Sequence, residues 1–278
     1  HAQLPFHLTD AQSRVINEIH QDMVRPSPMN RLIQGDVGSG KTIVALHAIL
    51  LACGSGYQAA FMVPTEILAE QHFLNLQKYL GKLEINMALV SGGLSFKERS
   101  QIYQQIAAGE IQLVIGRHAL LEVTVQLPKL GLVVVDEQHK FGVLQRAALR
   151  TKGICPDVVV MTATPIPRTI NLGLSGLRSI SLIATPPPDR RSIKTFVCPW
   201  SDNLAREACL REIHRGGQVF FLHNEVRTID AGVKHLAGLV PEAEIRIAHG
   251  QMPKQELERV MRDFYHHCLL YTSDAADE

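Results

Sequence analysis

The stretch Gly35-Asp36-Val37-Gly38-Ser39-Gly40-Lys41-Thr42 constrains this chain more than any other. It fits G-x-x-x-x-G-K-[ST], the spacing of a loop that cradles phosphate. Glycines at 35, 38 and 40 let the backbone take turns closed to other residues and aim its N–H groups at phosphate oxygens. A helix starting near Lys41 adds the positive end of its dipole. Lys41 is placed to reach the β- and γ-phosphates, and the Thr42 hydroxyl to ligate Mg²⁺. Residues 31–34 read as a short buried strand and residues 43–51 as a buried helix. A Gly-rich turn matching by chance is the bland alternative, and it explains neither flank.

Composition sets wide bounds. At 278 residues the chain has room for one to two domains with ample core. Hydrophobic residues make up 46% and charged residues 20%, the balance of an ordinary soluble globular protein. A net charge of +1 gives no ground for nucleic-acid binding, which only motifs can argue here. Cys53, Cys155, Cys198, Cys209 and Cys268 are scattered without a C-x-x-C pair. They read as reduced thiols of a cytoplasmic protein with no zinc site. The longest apolar run, residues 43–53, is too short to span a bilayer and contains His47. No signal peptide is expected ahead of the first strand.

Near the start, Thr9 or Asp10 can N-cap a helix whose apolar positions Val15, Ile16 and Ile19 recur at helical spacing. Phe6 and Gln12 flank that cap. By themselves they read as a hydrophobic staple and a solvated polar residue. Just before a phosphate loop, an aromatic face and an amide edge also suit adenine. Arg25-Pro26-Ser27-Pro28 then breaks the helix.

From Tyr57 to Val135 strands and helices alternate. Residues 58–63, 85–90, 111–115 and 130–135 read as strands, and residues 66–79 and 95–108 as helices, the second stopped by Gly109. Near-continuous apolar strands between helices imply an α/β fold with a parallel sheet covered on both faces.

The strand 130–135 runs into Asp136-Glu137-Gln138-His139. Carboxylates there lie at the carboxyl edge of the sheet, where open α/β folds bind ligand. Asp136 suits a Mg²⁺ ligand, directly or through water, and Glu137 a base that orients the attacking water. A solvated acidic turn would be the plain reading of the pair alone; about ninety residues after a phosphate loop the pair becomes a strong signal. Gln138 is less specific, and a His at 139 also fits a hydrogen bond to a neighbouring loop. One further strand, 158–161, ends in Thr162-Ala163-Thr164-Pro165. Hydroxyls at 162 and 164 are placed to link the acidic pair to a neighbouring element; an ordinary turn is the alternative.

With three motifs in hand the chain resembles superfamily 2 helicases, within the branch that holds the RecG helicase and the transcription-repair coupling factor (Mfd). The residues carrying the resemblance are the loop 35–42, Pro64-Thr65-Glu66-Ile67-Leu68-Ala69-Glu70-Gln71-His72, Asp136-Glu137-Gln138-His139-Lys140-Phe141-Gly142 and Thr162-Ala163-Thr164-Pro165-Ile166-Pro167-Arg168-Thr169. It spans roughly residues 4–267. It implies two RecA-like domains with ATP and Mg²⁺ in the cleft between them, and movement along double-stranded or branched DNA in repair or recombination. By the family pattern Phe6 and Gln12 look like the adenine-recognition motif. Gln138, His139, Thr162 and Thr164 look like coupling residues, and Thr65, Gly116 and His118 fall where one DNA strand's backbone is contacted. Arg117 departs from the Gly-Thr-His usual there.

Residues 4–170 look more like RecG, and 174–267 more like the coupling factor, which would bring RNA polymerase as a partner. A divergent natural relative and a chimera of two genes both fit that mixture. The resemblance implies an ATP-binding domain over residues 1–188. Thr185-Pro186-Pro187-Pro188-Asp189-Arg190-Arg191 reads as a linker. An incomplete second RecA-like domain is expected over 189–267, with strands at 192–197, 217–222 and 244–248 and helices at 203–214, 229–239 and 256–265. Residues 268–278 resemble adapter read-through and are expected to be a non-native tail, leaving no strand after 265 and no Gln…Arg-Gly-Arg segment. An ATP-binding module without motor activity is the alternative class.

Overall fold

Local chemistry sets the first helix. In the computed structural model Thr9 caps α1 (Asp10–Met23), accepting from the Gln12 backbone N–H while the Gln12 side chain accepts from the Thr9 N–H. This capping box satisfies two donors that a helix start leaves open. Val15, Ile16 and Ile19 form its buried stripe. The structure describes residues 7–81, 83, 85–117, 120, 125–137, 155–164, 179–185, 194–265 and 271–275. It divides into two units, His1–Arg191 and Ser192–Glu278.

In the first unit α1 is followed by β1 (Asn30–Gly35), α2 (Lys41–Gly54), β2 (Gln58–Met62), α3 (Glu66–Leu80), β3 (Met87–Val90), α4 (Phe96–Ala107) and β4 (Leu113–Gly116). The strands β5 (Leu130–Asp136), β6 (Asp157–Thr162) and β7 (Ser179–Ile183) complete it among the described residues. They form a seven-stranded sheet, order β3-β4-β2-β5-β6-β1-β7, with every pairing parallel. Such a sheet must bury both faces, and β2 shows how. Ala59, Phe61 and Val63 join residues of α1, α2 and α3 in one core, while Ala60 and Met62 join Ile106 of α4 in the other. Helix α2 buries Ile43, Val44, Leu46, Ala48 and Ile49, leaving little polar face. An apolar helix of this kind belongs in the centre, and each large side chain it buries contributes roughly 1.5–3 kcal/mol.

One buried charge is fully paired. Arg31, on β1 and 8% exposed, donates Nε and one terminal nitrogen to Asp22 Oδ2 at 2.8 and 2.6 Å. Its other terminal nitrogen donates to Glu18 Oε2 at 2.9 Å and Ser181 Oγ at 2.6 Å. The guanidinium fork thus ties α1, β1 and β7 together.

The second unit holds α5 (Asp202–His214), β8 (Val219–Leu222), a short 3₁₀ turn (Val226–Thr228), α6 (Ile229–Leu239), β9 (Ile245–His249), α7 (Lys254–Tyr265) and β10 (Tyr271–Ala275). Its buried side chains include Cys209, Ile229, Leu236, Val240, Ala248 and Phe264.

Three elements differ from the sequence expectation. Strand β7 was not expected. It is a sheet edge whose Leu182 stays half exposed, so it lacks the continuous apolar run of its neighbours. Residues 194–197 of the expected strand 192–197 lie in no regular element, with Val197 98% exposed. A tetrapeptide rich in β-formers becomes a strand only beside a partner, and none pairs with it among the described residues. Conversely, β10 lies within the expected tail and forms the middle strand of β8-β10-β9, parallel to both neighbours.

Candidate nucleotide-binding site

The loop between β1 and α2 is shaped by glycine. Gly38 and Gly40 have φ of 79° and 84°, in the left-handed region where a side chain is strained. A Cβ on Gly40 would also collide with the Gln12 amide, and one on Gly35 would lie 2.5 Å from Ser39 Oγ. Gln12 is buried rather than solvated: its Nε2 donates to the Ser39 carbonyl at 2.9 Å. Ser39 Oγ is buried and has no hydrogen-bond partner among the described residues. Lys41 folds its ammonium over the loop, donating to the carbonyls of Gly35 at 2.7 Å and Asp36 at 2.8 Å. Burial pushes the Lys41 pKa below its ordinary value, and the carboxylates of Asp136, Glu137 and Asp36 oppose that shift. Thr42 lies in the first turn of α2.

The acidic pair meets the loop from β5. Asp136 ends that strand, and Glu137 turns away from it at φ 52°, a left-handed conformation unusual for a residue with a side chain. Strain of this kind costs on the order of 1–3 kcal/mol and persists where neighbours impose it. Here they do: Glu137 N–H donates to the Met161 carbonyl at 3.0 Å, and its Oε1 accepts from Ala163 N–H at 3.3 Å. Thr162 and Thr164 stand next to that contact with hydroxyls 2.8 Å apart, and Thr164 N–H donates to Thr162 Oγ1 at 3.2 Å.

Helix α3 borders the same edge. Thr65 is its N-cap, accepting from Leu68 N–H at 3.3 Å, and Glu66 Oε1 accepts from Gly92 N–H at 2.9 Å. Two turns on, His72 Nε2 lies 3.1 Å from Asp136 Oδ2, its ring 4.7 Å from that of Phe61. Gly116 ends β4, where a Cβ would come within 2.7 Å of the Val90 carbonyl.

Because all seven strands run parallel, the loop 36–40, Thr65, Gly116, Asp136, Glu137, Thr162 and Thr164 gather at one carboxyl edge of the sheet. Phe6, His118, Gln138 and His139 lie outside the described residues. His72 is the contact that the sequence reading did not single out: the motif contained it, but only the fold shows that it meets Asp136.

The donor set fits Mg²⁺ and a polyphosphate. Thr42 and Asp136 offer hard oxygen donors to a hard cation, beside a loop whose Gly35 and Gly40 leave no room for a Cβ against Ser39 and Gln12. Among the described residues no group of three or more His, Cys, Asp and Glu could hold a metal ion by itself. Mg²⁺ commonly completes its shell with phosphate oxygens and water, so it needs few protein oxygens. Among the described residues no helix is long and apolar enough to cross a membrane.

The DEAD/DEAH box helicase profile matches residues 9–172. The chain is 46% identical over 262 residues to the transcription-repair-coupling factor of Escherichia coli (strain K12), covering 94% of this chain and 23% of that protein. It is 45% identical over 271 residues to the ATP-dependent DNA helicase RecG of Synechocystis sp., covering 94% of this chain and 33% of that protein. A solved structure of RecG bound to a three-way DNA junction matches with a TM-score of 0.85 at 38% identity, over 100% of this chain and 37% of that one. The chain thus spans about a quarter to a third of the length of these relatives.

Proposed function

Because the chain belongs to the DEAD/DEAH box helicase family, we propose that it is the ATP-driven motor core of a RecG-like DNA helicase or double-stranded DNA translocase, acting in repair or recombination in the cytoplasm. On this reading residues 1–188 are the ATP-binding domain and residues 189–267 belong to a second RecA-like domain. One relationship carries the proposal. The Lys41 ammonium, seated on the loop carbonyls, feels the charges of both Asp136 and Glu137. A phosphate-binding cation, a metal carboxylate and a water-orienting base therefore share one edge.

Bound Mg–ATP supplies the phosphoanhydride to be cleaved and the cation that offsets its charge. The chain's own groups do the rest. Loop N–H groups and Lys41 bind and orient the phosphates. Thr42 and Asp136 hold the cation, and Glu137 orients the attacking water and accepts its proton. The anchors on Met161 and Ala163 fix Glu137 for that task. Phe6 and Gln12 recognise adenine, while Gln138, His139, Thr162 and Thr164 pass the state of the site onward. Thr65, Gly116 and His118 meet a DNA backbone. Branched DNA is the favoured partner, since the matching RecG structure is bound to a three-way junction. A coupling-factor motor, with RNA polymerase as a further partner, is the near alternative.

The alternative class is an ATP-binding module without motor activity. Phosphate release from ATP, measured with and without a three-way DNA junction, separates the two. The motor reading expects slow turnover that DNA raises. Glu137→Gln should keep nucleotide binding and lower turnover about 10²–10⁴-fold. Turnover indifferent to DNA would leave an ATP-binding module, and a Glu137→Gln variant as fast as its parent would remove Glu137 from its role.

A further inference from the structure

We propose that His72 is a positioning residue for Asp136: it holds one carboxylate oxygen so that the other is presented to the Mg²⁺ of bound nucleotide. The inference rests on the reading of Asp136 as the metal carboxylate. An ionised carboxylate only accepts, so the 3.1 Å contact makes His72 Nε2 the donor and Asp136 Oδ2 the acceptor. His72 Nδ1 is buried and without a hydrogen-bond partner among the described residues. Both side chains are largely withdrawn from solvent, at 13% and 15% exposure, so the bond is not traded freely for water. The ring is held from the side by Phe61, itself fully buried on β2. The imidazole therefore has little freedom to turn away, and the carboxylate is fixed in orientation as well as place.

A carboxylate that binds a cation usually needs such an outer partner. The partner fixes which oxygen faces the ion and takes up part of its charge, and removing it typically costs about 10–100-fold in metal affinity. The placement of His72 adds a second consequence. It sits on the same helix as Thr65, seven residues or about 10 Å along the axis from that N-cap, and Glu66 in the first turn grips the Gly92 N–H. One rigid helix thus joins the edge expected to meet DNA to the metal carboxylate. Movement of α3 would be felt at Asp136 through a single hydrogen bond.

The plain alternative is a buried histidine that merely packs. Calorimetric titration of ADP, with Mg²⁺ and with EDTA, tells the two apart, backed by electron paramagnetic resonance of Mn²⁺ with ADP. His72→Leu should keep its ADP affinity in EDTA and lose about 10–100-fold of the Mg²⁺-dependent gain, with a matching weaker Mn²⁺ signal. His72→Gln, whose amide N–H reaches the Nε2 position, should recover most of that gain. An unchanged Mg²⁺-dependent gain in His72→Leu would overturn the positioning role while leaving the nucleotide site intact. No Mg²⁺-dependent binding in the parent chain would instead overturn the site reading and this proposal with it. Should His72→Leu fail to fold, His72→Gln against His72→Asn decides, because the asparagine amide does not reach Nε2. Equal Mg²⁺ dependence in those two would overturn the proposal.

Discussion

Gln12 donates from Nε2 to the Ser39 carbonyl at 2.9 Å while its Oε1 accepts from the Thr9 N–H at 3.0 Å. One amide thereby closes the cap of α1 and fastens the phosphate loop to it across 27 residues. The glycine at position 40 leaves the space in which this amide sits. Removing the amide should loosen helix and loop together. Gln12→Ala is expected to lose about 1–2 kcal/mol in urea unfolding, from the cap and one buried hydrogen bond, and to bind ADP more weakly. A variant as stable as the parent would show that the amide bridges nothing of consequence.

Arg31 offers a sharper stability test. Its guanidinium is the shared partner of Asp22, Glu18 and Ser181. Among the described residues, Arg31→Ala would leave the buried Asp22 carboxylate with only the exposed Arg25 as a cation beside it. Breaking a buried pair from one side typically costs about 3–5 kcal/mol. Arg31→Lys should recover only part of that, because an ammonium cannot span three acceptors with a planar fork. Equal unfolding midpoints for parent and alanine variant would contradict this.

Asp157 sets a pH dependence. Burial pushes its pKa above the ordinary carboxylate value; the Met29 N–H, which donates to it at 2.6 Å, opposes the rise, and Asp22 adds to it. Folding therefore favours the protonated form. That contribution is complete below the unfolded value of about 3.9 and is lost as pH rises through the raised folded value. Asp157→Asn keeps an acceptor for Met29 without a charge. It should flatten this part of the stability profile above about pH 4 and be neutral or stabilising at pH 7. Parallel profiles for parent and variant from urea melts would refute the assignment.

How much of this was legible in the chain follows from the range of the interactions. The phosphate loop could be read because its spacing is a property of consecutive backbone turns: Gly38 and Gly40 must take positive φ wherever the loop lies. The Asp136–Glu137 pair could be read because an apolar strand delivers it to a sheet edge. Gln12 could be read as a cap candidate's neighbour, but not as the tether of a loop 27 residues away. The His72–Asp136 contact spans 64 residues and depends on the β2–β5 pairing, which sets Asp136 next to the strand that leads into α3. Strand identity at the margins was harder still. The Ile180–Ile183 alternation marks an edge strand only once β1 is beside it, residues 194–197 have the composition of a strand but no partner, and Tyr271–Ala275 has two partners.

The central claim is that the loop 35–42 binds Mg-nucleotide with Lys41 as the point charge on phosphate. Calorimetric titration of Mg–ADP into the parent chain and into Lys41→Ala tests it most directly, with circular dichroism confirming that both are folded. Saturable one-to-one binding to the parent and none to the variant, with the fold unchanged, is the expected result. Equal affinity of the two proteins would contradict it.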